Sequence, residues 1–188
     1  MYPKFTSLVF YYSSLYFNIP NLARKTIIPR VIEPAFGIGR IFSAILEHCC
    51  FAREFDSQRV VFNFPAVIAP VKVSVFTLQN KDKLKTICED VCHVLSSQGI
   101  SYNTDTSGAS IGKRYARSDM QGIPYAIVVD FSTVESPTRE VTIRERNTMS
   151  QVLVPFDDIL LVVMKLTNQM ASWTQIVEQY PKFTATED

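Results

Sequence analysis

DTSGASIGKRYARSDMQGIPYAIVVD, running from Asp105 to Asp130, holds a turn, a cationic helix, a second turn and a buried strand in one continuous stretch. Thr106, Ser107 and Gly108 are small residues suited to a bend or a helix start, and Gly122, Ile123 and Pro124 stop the helix. Tyr125 to Phe131 is apolar at both parities apart from Asp130. That pattern predicts a central strand covered on both faces, with Asp130 at its end facing a crevice. Lys113, Arg114 and Arg117 fall at helical spacings, so the helix is expected to present a compact cationic ridge beside that strand end. A polyanion is the natural partner of such a ridge, and a solvated helix face is the alternative.

Two short patterns overlap this stretch. GASIG, Gly108 to Gly112, fits a nucleophile elbow with Ser110 as nucleophile, but such an elbow needs a later histidine and both histidines, His48 and His93, come earlier. GASIGKR approaches a phosphate-cradling loop, yet it is one residue short and Arg114 stands where a Ser or Thr must bind magnesium. Neither pattern supports a hydrolase or a nucleotide site.

Working outward, Val71, Val73 and Val75 alternate with Lys72 and Ser74, which predicts a first strand ending near Leu78. Asn80 or Asp82 is placed to cap a helix whose apolar positions Leu84, Ile87, Cys88, Val91, Cys92 and Leu95 keep helical spacing, with Gly99 at its end. Ile100 to Thr106 reads as a short second strand. Downstream, Ser132 to Thr138 reads as a turn, and Val141 to Arg146 as a strand sorted by parity. Val141 and Ile143 take one face, while Thr142, Arg144 and Arg146 take the other. A face with two guanidinium groups and a hydroxyl can hydrogen-bond unstacked bases and phosphates, and salt bridges to Glu140, Glu145 or Asp130 are the alternative. Met149 to Val154 gives a further strand, and Asp157 or Asp158 starts a last helix that turns Ile159, Val163, Leu166 and Met170 inward. Trp173 and Tyr180 are expected to anchor the tail. The order from Val71 to Met170 implies an α/β domain with a mixed sheet of about five strands and three helices.

Upstream, Ile27 to Ile32 reads as a buried strand that turns at Glu33 and Pro34, and Ile41 to Phe51 as a helix with Ile41, Ala44, Ile45 and His48 on one face. Arg53 to Arg59 reads as a charged connector, and the domain boundary is placed near Pro65. Residues 1–26 are aromatic and nearly uncharged. They have neither the unbroken apolar run of a membrane helix nor the basic start and apolar middle of a cleaved leader.

The 188 residues carry a net charge of +1 with 47% hydrophobic side chains, so a sizeable core is available and any nucleic-acid contact must come from local clusters. Cys49, Cys50, Cys88 and Cys92 form no paired CxxC knuckles and read as small core residues in a reducing compartment; no metal is expected.

The run SIGKRYARSDMQGIPYAIVVDF, from Ser110 to Phe131, resembles the anticodon-binding domain of class II aminoacyl-tRNA synthetases, above all the glycyl-tRNA synthetase family. Three further blocks share the resemblance: RVIEPAFGIGR from Arg30, FPAVIAPVKVSVFTL from Phe64 and TIRERNTMSQVLVP from Thr142. It covers the chain from about Ile27 onward and implies three parts. Residues 1–26 are unassigned and expected to be poorly ordered, 27–64 are a strand-helix remnant of a catalytic domain, and 65–188 are the anticodon-binding domain.

On that resemblance EPAFGIGR corresponds to the third class II motif. Glu33 would accept the ammonium of substrate glycine, Gly37 and Gly39 would allow close backbone approach, and Arg40 would meet the triphosphate of ATP, with magnesium as companion ion. Ala35 departs from the usual serine. The first two motifs are absent from this chain, so no catalysis and no cofactor are expected from it alone. The implied partner is the anticodon stem-loop of glycine tRNA, with Lys113, Arg114 and Arg117 on the phosphates and Asp130, Thr142, Arg144 and Arg146 nearer the bases. Alanine at Arg144 and Arg146 is then expected to weaken tRNA binding. The longer enzyme of the family would be a homodimer of cytoplasm or mitochondrion, without membrane attachment. The alternative is a non-enzymatic accessory subunit resembling the processivity factor of mitochondrial DNA polymerase.

Overall fold

The computed structural model describes residue 30 and residues 32–53, 56–79 and 81–183, with 56–59 described as backbone only. The chain divides into two units between Gly37 and Ile38. In the first, residues 32–37 form neither helix nor strand. The buried strand expected from Ile27 is not found at its described end, where Ile32 is 98% exposed. The remainder of that strand, and residues 1–26, lie outside the described residues.

The second unit begins with α1 (Ile38–Cys49), followed by an antiparallel hairpin of β1 (Cys50–Arg53) and β2 (Asp56–Phe62). The expected charged connector is therefore a strand pair. β2 packs on the helix α3 introduced below, and the hairpin belongs to the same unit as the sheet domain.

The sheet domain then runs β3 (Val73–Thr77), α2 (Asp82–Ser97), β4 (Tyr102–Thr104), α3 (Ile111–Met120), β5 (Tyr125–Val129), α4 (Phe131–Glu135), β6 (Val141–Glu145) and β7 (Gln151–Val154). A 3-10 turn (Phe156–Asp158), α5 (Ile159–Thr167) and α6 (Trp173–Gln179) complete it. Strand order is β4-β3-β5-β6-β7, parallel among the first three and antiparallel from β5 to β7. This is the mixed five-stranded α/β sheet that the pattern predicts.

Parity decides what each face buries. Val73, Val75, Ile127, Val129, Val141, Ile143, Val152 and Val154 point to one side. They pack there against Leu84, Ile87, Val91 and Leu95 of α2 and Ile159, Val163 and Leu166 of α5. Each such side chain contributes about 1.5–3 kcal/mol on leaving water. On the other side the register brings Ser74, Ala126, Arg144 and Gln151 into one row and Phe76, Val128, Thr142 and Leu153 into the next. Here Phe76, Ala126 and Val128 meet Ile111 and Tyr115 of α3.

Two junctions differ from expectation. Asn80 lies outside the described residues, and Asp82 is the first helical residue of α2, while the cap position, Lys81, makes no side-chain cap bond. The turn after β5 is instead the short helix α4. Asp130 accepts from the Thr133 amide, and the Thr133 hydroxyl accepts from the Asp130 amide, a reciprocal pair that starts the helix. Gly122 ends α3 at φ +73, and a Cβ there would lie 2.2 Å from the Phe64 ring, so both the backbone and the close approach of the segment after β2 require glycine.

The tail is anchored as the aromatics predict. Trp173 Nε1 donates to Ser150 Oγ at 2.6 Å, and the Tyr180 hydroxyl donates to Asp158 at 3.1 Å. Residues beyond α6 cover the edge of β7, with the Leu153 amide donating to the Pro181 carbonyl at 2.8 Å. No helix among the described residues is long and apolar enough to cross a membrane.

Candidate nucleic-acid interface

The parity reading of β6 holds, since Thr142 and Arg144 share a face with Arg146 just beyond them, but that face is not open. Thr142, Arg144 and Arg146 are 3%, 5% and 3% exposed. Arg144 donates through both terminal nitrogens to Asp119 of α3 at 3.1 and 3.2 Å, and its guanidinium lies 4.4 Å over the Tyr115 ring. Arg53 of β1 reaches the same carboxylate at 2.8 Å and the Arg146 carbonyl at 2.7 Å. Arg146 in turn donates to the Gly122 carbonyl, Asn63 and the Phe64 carbonyl. The expectation that Thr142, Arg144 and Arg146 meet RNA is corrected by this packing: α3 and the hairpin cover them. The anticipated pairing alternative is met by Asp119, not by Glu140, Glu145 or Asp130. Asp119 and Arg53 escaped the sequence reading, and the one signal for Asp119 was its place four residues after Tyr115, on the inward side of α3.

The cationic ridge splits in the same way. Lys113 and Arg117, one turn apart, are exposed, whereas Arg114 is 5% exposed and faces inward with Ser118. Its Nη1 donates to the Thr77 carbonyl at 2.8 Å, it lies 5.6 Å from the Phe76 ring centre, and its buried Nε has no partner. Arg114 therefore fastens α3 to the end of β3 and is not a surface cation. Asp130 is half-buried and occupied in capping α4.

What remains accessible lies at the carboxyl ends of the parallel strands. The connection after β3 leads to α2 on one face of the sheet, and the connection after β4 leads to α3 on the other. Such divergence opens a crevice at the strand ends. A crevice of about 460 Å³ occupies that position, lined by Thr77, Leu78 and Gln79 at the end of β3, by residues 104–109 at the end of β4, and by α2. Asp105 on its rim accepts from the Ser107 amide at 2.8 Å and from Arg117 at 3.0 Å. The Ser107 hydrogen bonds, and then the Arg117 cation, hold the Asp105 carboxyl below the usual carboxylate range. Farther along this end, Lys81 sits 4.7 Å over the ring of Phe131, which is 36% exposed. Cations, hydrogen-bonding loop residues and an exposed aromatic thus share one end of the sheet, a combination suited to unstacked nucleotides.

Glu33, Gly37, Gly39 and Arg40 are all exposed. A side chain added at Gly39 would meet no other atom of the chain within 4 Å.

A sequence profile described as "Anticodon binding domain" matches residues 72–166, just over half of the chain. The chain belongs to this anticodon-binding domain family. Its matched region runs from the start of the sheet domain into α5, so the five strands, the crevice and the buried Arg114, Asp119, Arg144 and Arg146 lie within it, while Arg53 and the hairpin lie outside. Over 163 residues the chain is 44% identical to a glycine–tRNA ligase of Bombyx mori, a match covering 87% of this chain and 22% of that protein. It is 42% identical over 160 residues to the Drosophila melanogaster glycine–tRNA ligase, covering 85% and 21%. With the Methanocaldococcus jannaschii glycine–tRNA ligase it shares 44% identity over 136 residues, covering 72% and 22%. The chain thus spans about a fifth of the length of the curated relatives it matches. Among solved structures, the RNA binding domain of threonyl-tRNA synthetase from Cryptosporidium parvum Iowa II overlays with TM-score 0.49 at 23% identity. That overlay covers 55% of this chain and 25% of the other.

Proposed function

We propose that this chain grips the anticodon arm of glycine tRNA, as the tRNA-reading part of a glycine–tRNA ligase. The observation that supports this most is the family match over residues 72–166 within a chain 44% identical to a glycine–tRNA ligase. Ligation of glycine with ATP, and the dimeric state, belong in this proposal to a longer protein of which the present chain covers the part described. Its place is the cytoplasm or, as for the Saccharomyces cerevisiae relative titled "Glycine--tRNA ligase 1, mitochondrial", the mitochondrion.

In this proposal the RNA lies across the carboxyl ends of β3, β4 and β5. Lys113 and Arg117 meet phosphates, and the loop of residues 104–109 with the adjoining crevice receives a loop nucleotide. Phe131, with Lys81 over its ring, offers a stacking surface at the same end. Arg144, Arg146 and Asp119 act indirectly, by holding α3 and the hairpin in place. Photocrosslinking of a glycine-tRNA anticodon stem-loop carrying 4-thiouridine in its loop tests the placement. The expected crosslinks fall in residues 104–117 and near Phe131; crosslinks confined to α5 and α6 would contradict it.

A further inference from the structure

Cys88 and Cys92 stand one helical turn apart on α2, and both line the crevice of about 460 Å³ at the ends of β3 and β4. Cys88 is half-buried and Cys92 buried, and both are free thiols. They form part of the α2 wall of that crevice, and the proposed handling of RNA assigns them no hydrogen bond or charge. We propose that Cys88 and Cys92 form a two-coordinate site for a soft, thiol-seeking d10 metal ion, of which Cu(I) is the representative.

Geometry separates this from the other chemistry open to a thiol pair. Residues four apart on a helix have Cβ atoms about 5–6 Å apart, whereas a disulfide needs about 3.5–4.5 Å. Closing a disulfide here would therefore distort α2, whose Leu84, Ile87, Val91 and Leu95 are locked into the core. An ion between the two sulfurs removes the conflict, because two metal–thiolate bonds of about 2.3 Å each span the gap with the helix intact. A closed zinc site needs four ligands, and among the described residues no group of three or more His, Cys, Asp or Glu is arranged to hold a metal. Two sulfurs alone suit a soft ion content with two ligands.

Lys85 and Arg114 line the same crevice and offset the single negative charge of a bis-thiolate Cu(I) centre, while Glu89 opposes it. Binding releases two thiol protons to solvent, forms two sulfur–copper bonds and moves no electron between oxidation states. The site stands whether or not the crevice receives RNA.

The test uses the full chain, reduced and kept anaerobic, competing for Cu(I) supplied as its bicinchoninate complex. One tight equivalent is expected in the wild type and in a C49S/C50S variant, with affinity at least about tenfold weaker in C88S and in C92S. No withdrawal of copper by the wild type, or a smaller loss in either C88S or C92S, overturns the proposal. X-ray absorption on the wild-type complex guards against a folding defect in the variants: two sulfur neighbours support the site, and any other first coordination sphere contradicts it.

Discussion

Arg53 on β1 donates to Asp119 on α3 at 2.8 Å across a separation of 66 residues, and through that one carboxylate the hairpin is tied to the sheet domain. Arg144 occupies the same carboxylate from β6, so a single acidic side chain holds three elements together.

Removing that carboxylate leaves two guanidinium groups buried without an opposite charge. Asp119→Asn is expected to lower unfolding free energy by about 3–5 kcal/mol. Urea unfolding followed by Trp173 fluorescence measures it, and a loss under about 1 kcal/mol would mean that the cluster is already hydrated and weak.

Gly122→Ala combines a positive φ of +73 with a Cβ placed 2.2 Å from the Phe64 ring. The strained backbone and the displaced ring together predict a loss of about 2–4 kcal/mol. Calorimetry of the G122A protein beside a Gly99→Ala control, where the added Cβ meets nothing within 4 Å, should show the larger drop in Tm at position 122.

The Asp105 carboxyl is held below its ordinary range in the fold, by Ser107 first and Arg117 after. Its folded value is depressed, so its contribution to stability is present in full above the unfolded value, near pH 4, and is lost as the pH falls through the folded value. Asp105→Asn should therefore destabilise the chain at neutral pH and flatten the acid limb of its stability curve below about pH 4. Parallel acid limbs for the two proteins would show that the Asp105 contacts are not maintained in solution.

Much of this architecture was legible because hydrophobic period tracks burial. The alternation in Val73 to Thr77, the helical spacing of Leu84 to Leu95 and the two-sided apolar run of β5 each report a core contact. The strand character of Arg53 was not legible. A buried arginine looks like a surface one until its partner is known, and that partner lies 66 residues away. The same limit applies to Arg114, Arg144 and Arg146. Parity grouped Arg144 and Arg146 correctly, but whether their face meets solvent or another layer depends on where α3 and the hairpin pack. Asp119 was hidden for the converse reason, being an acidic residue in a helix that reads as cationic. The crevice follows from strand order, since β4 and β5 flank β3 on opposite sides, and that order is set by tertiary pairing.

The central claim is that the carboxyl-end rim, through Lys113 and Arg117, meets the anticodon arm of glycine tRNA. Fluorescence anisotropy of a labelled glycine-tRNA anticodon stem-loop, at fixed salt, addresses it directly with wild-type and K113A/R117A proteins. The wild type should bind this loop at least about tenfold more tightly than the same stem with a permuted loop, and the double variant should lose about tenfold. Equal affinity for both loops, together with binding unchanged by K113A/R117A, would contradict it.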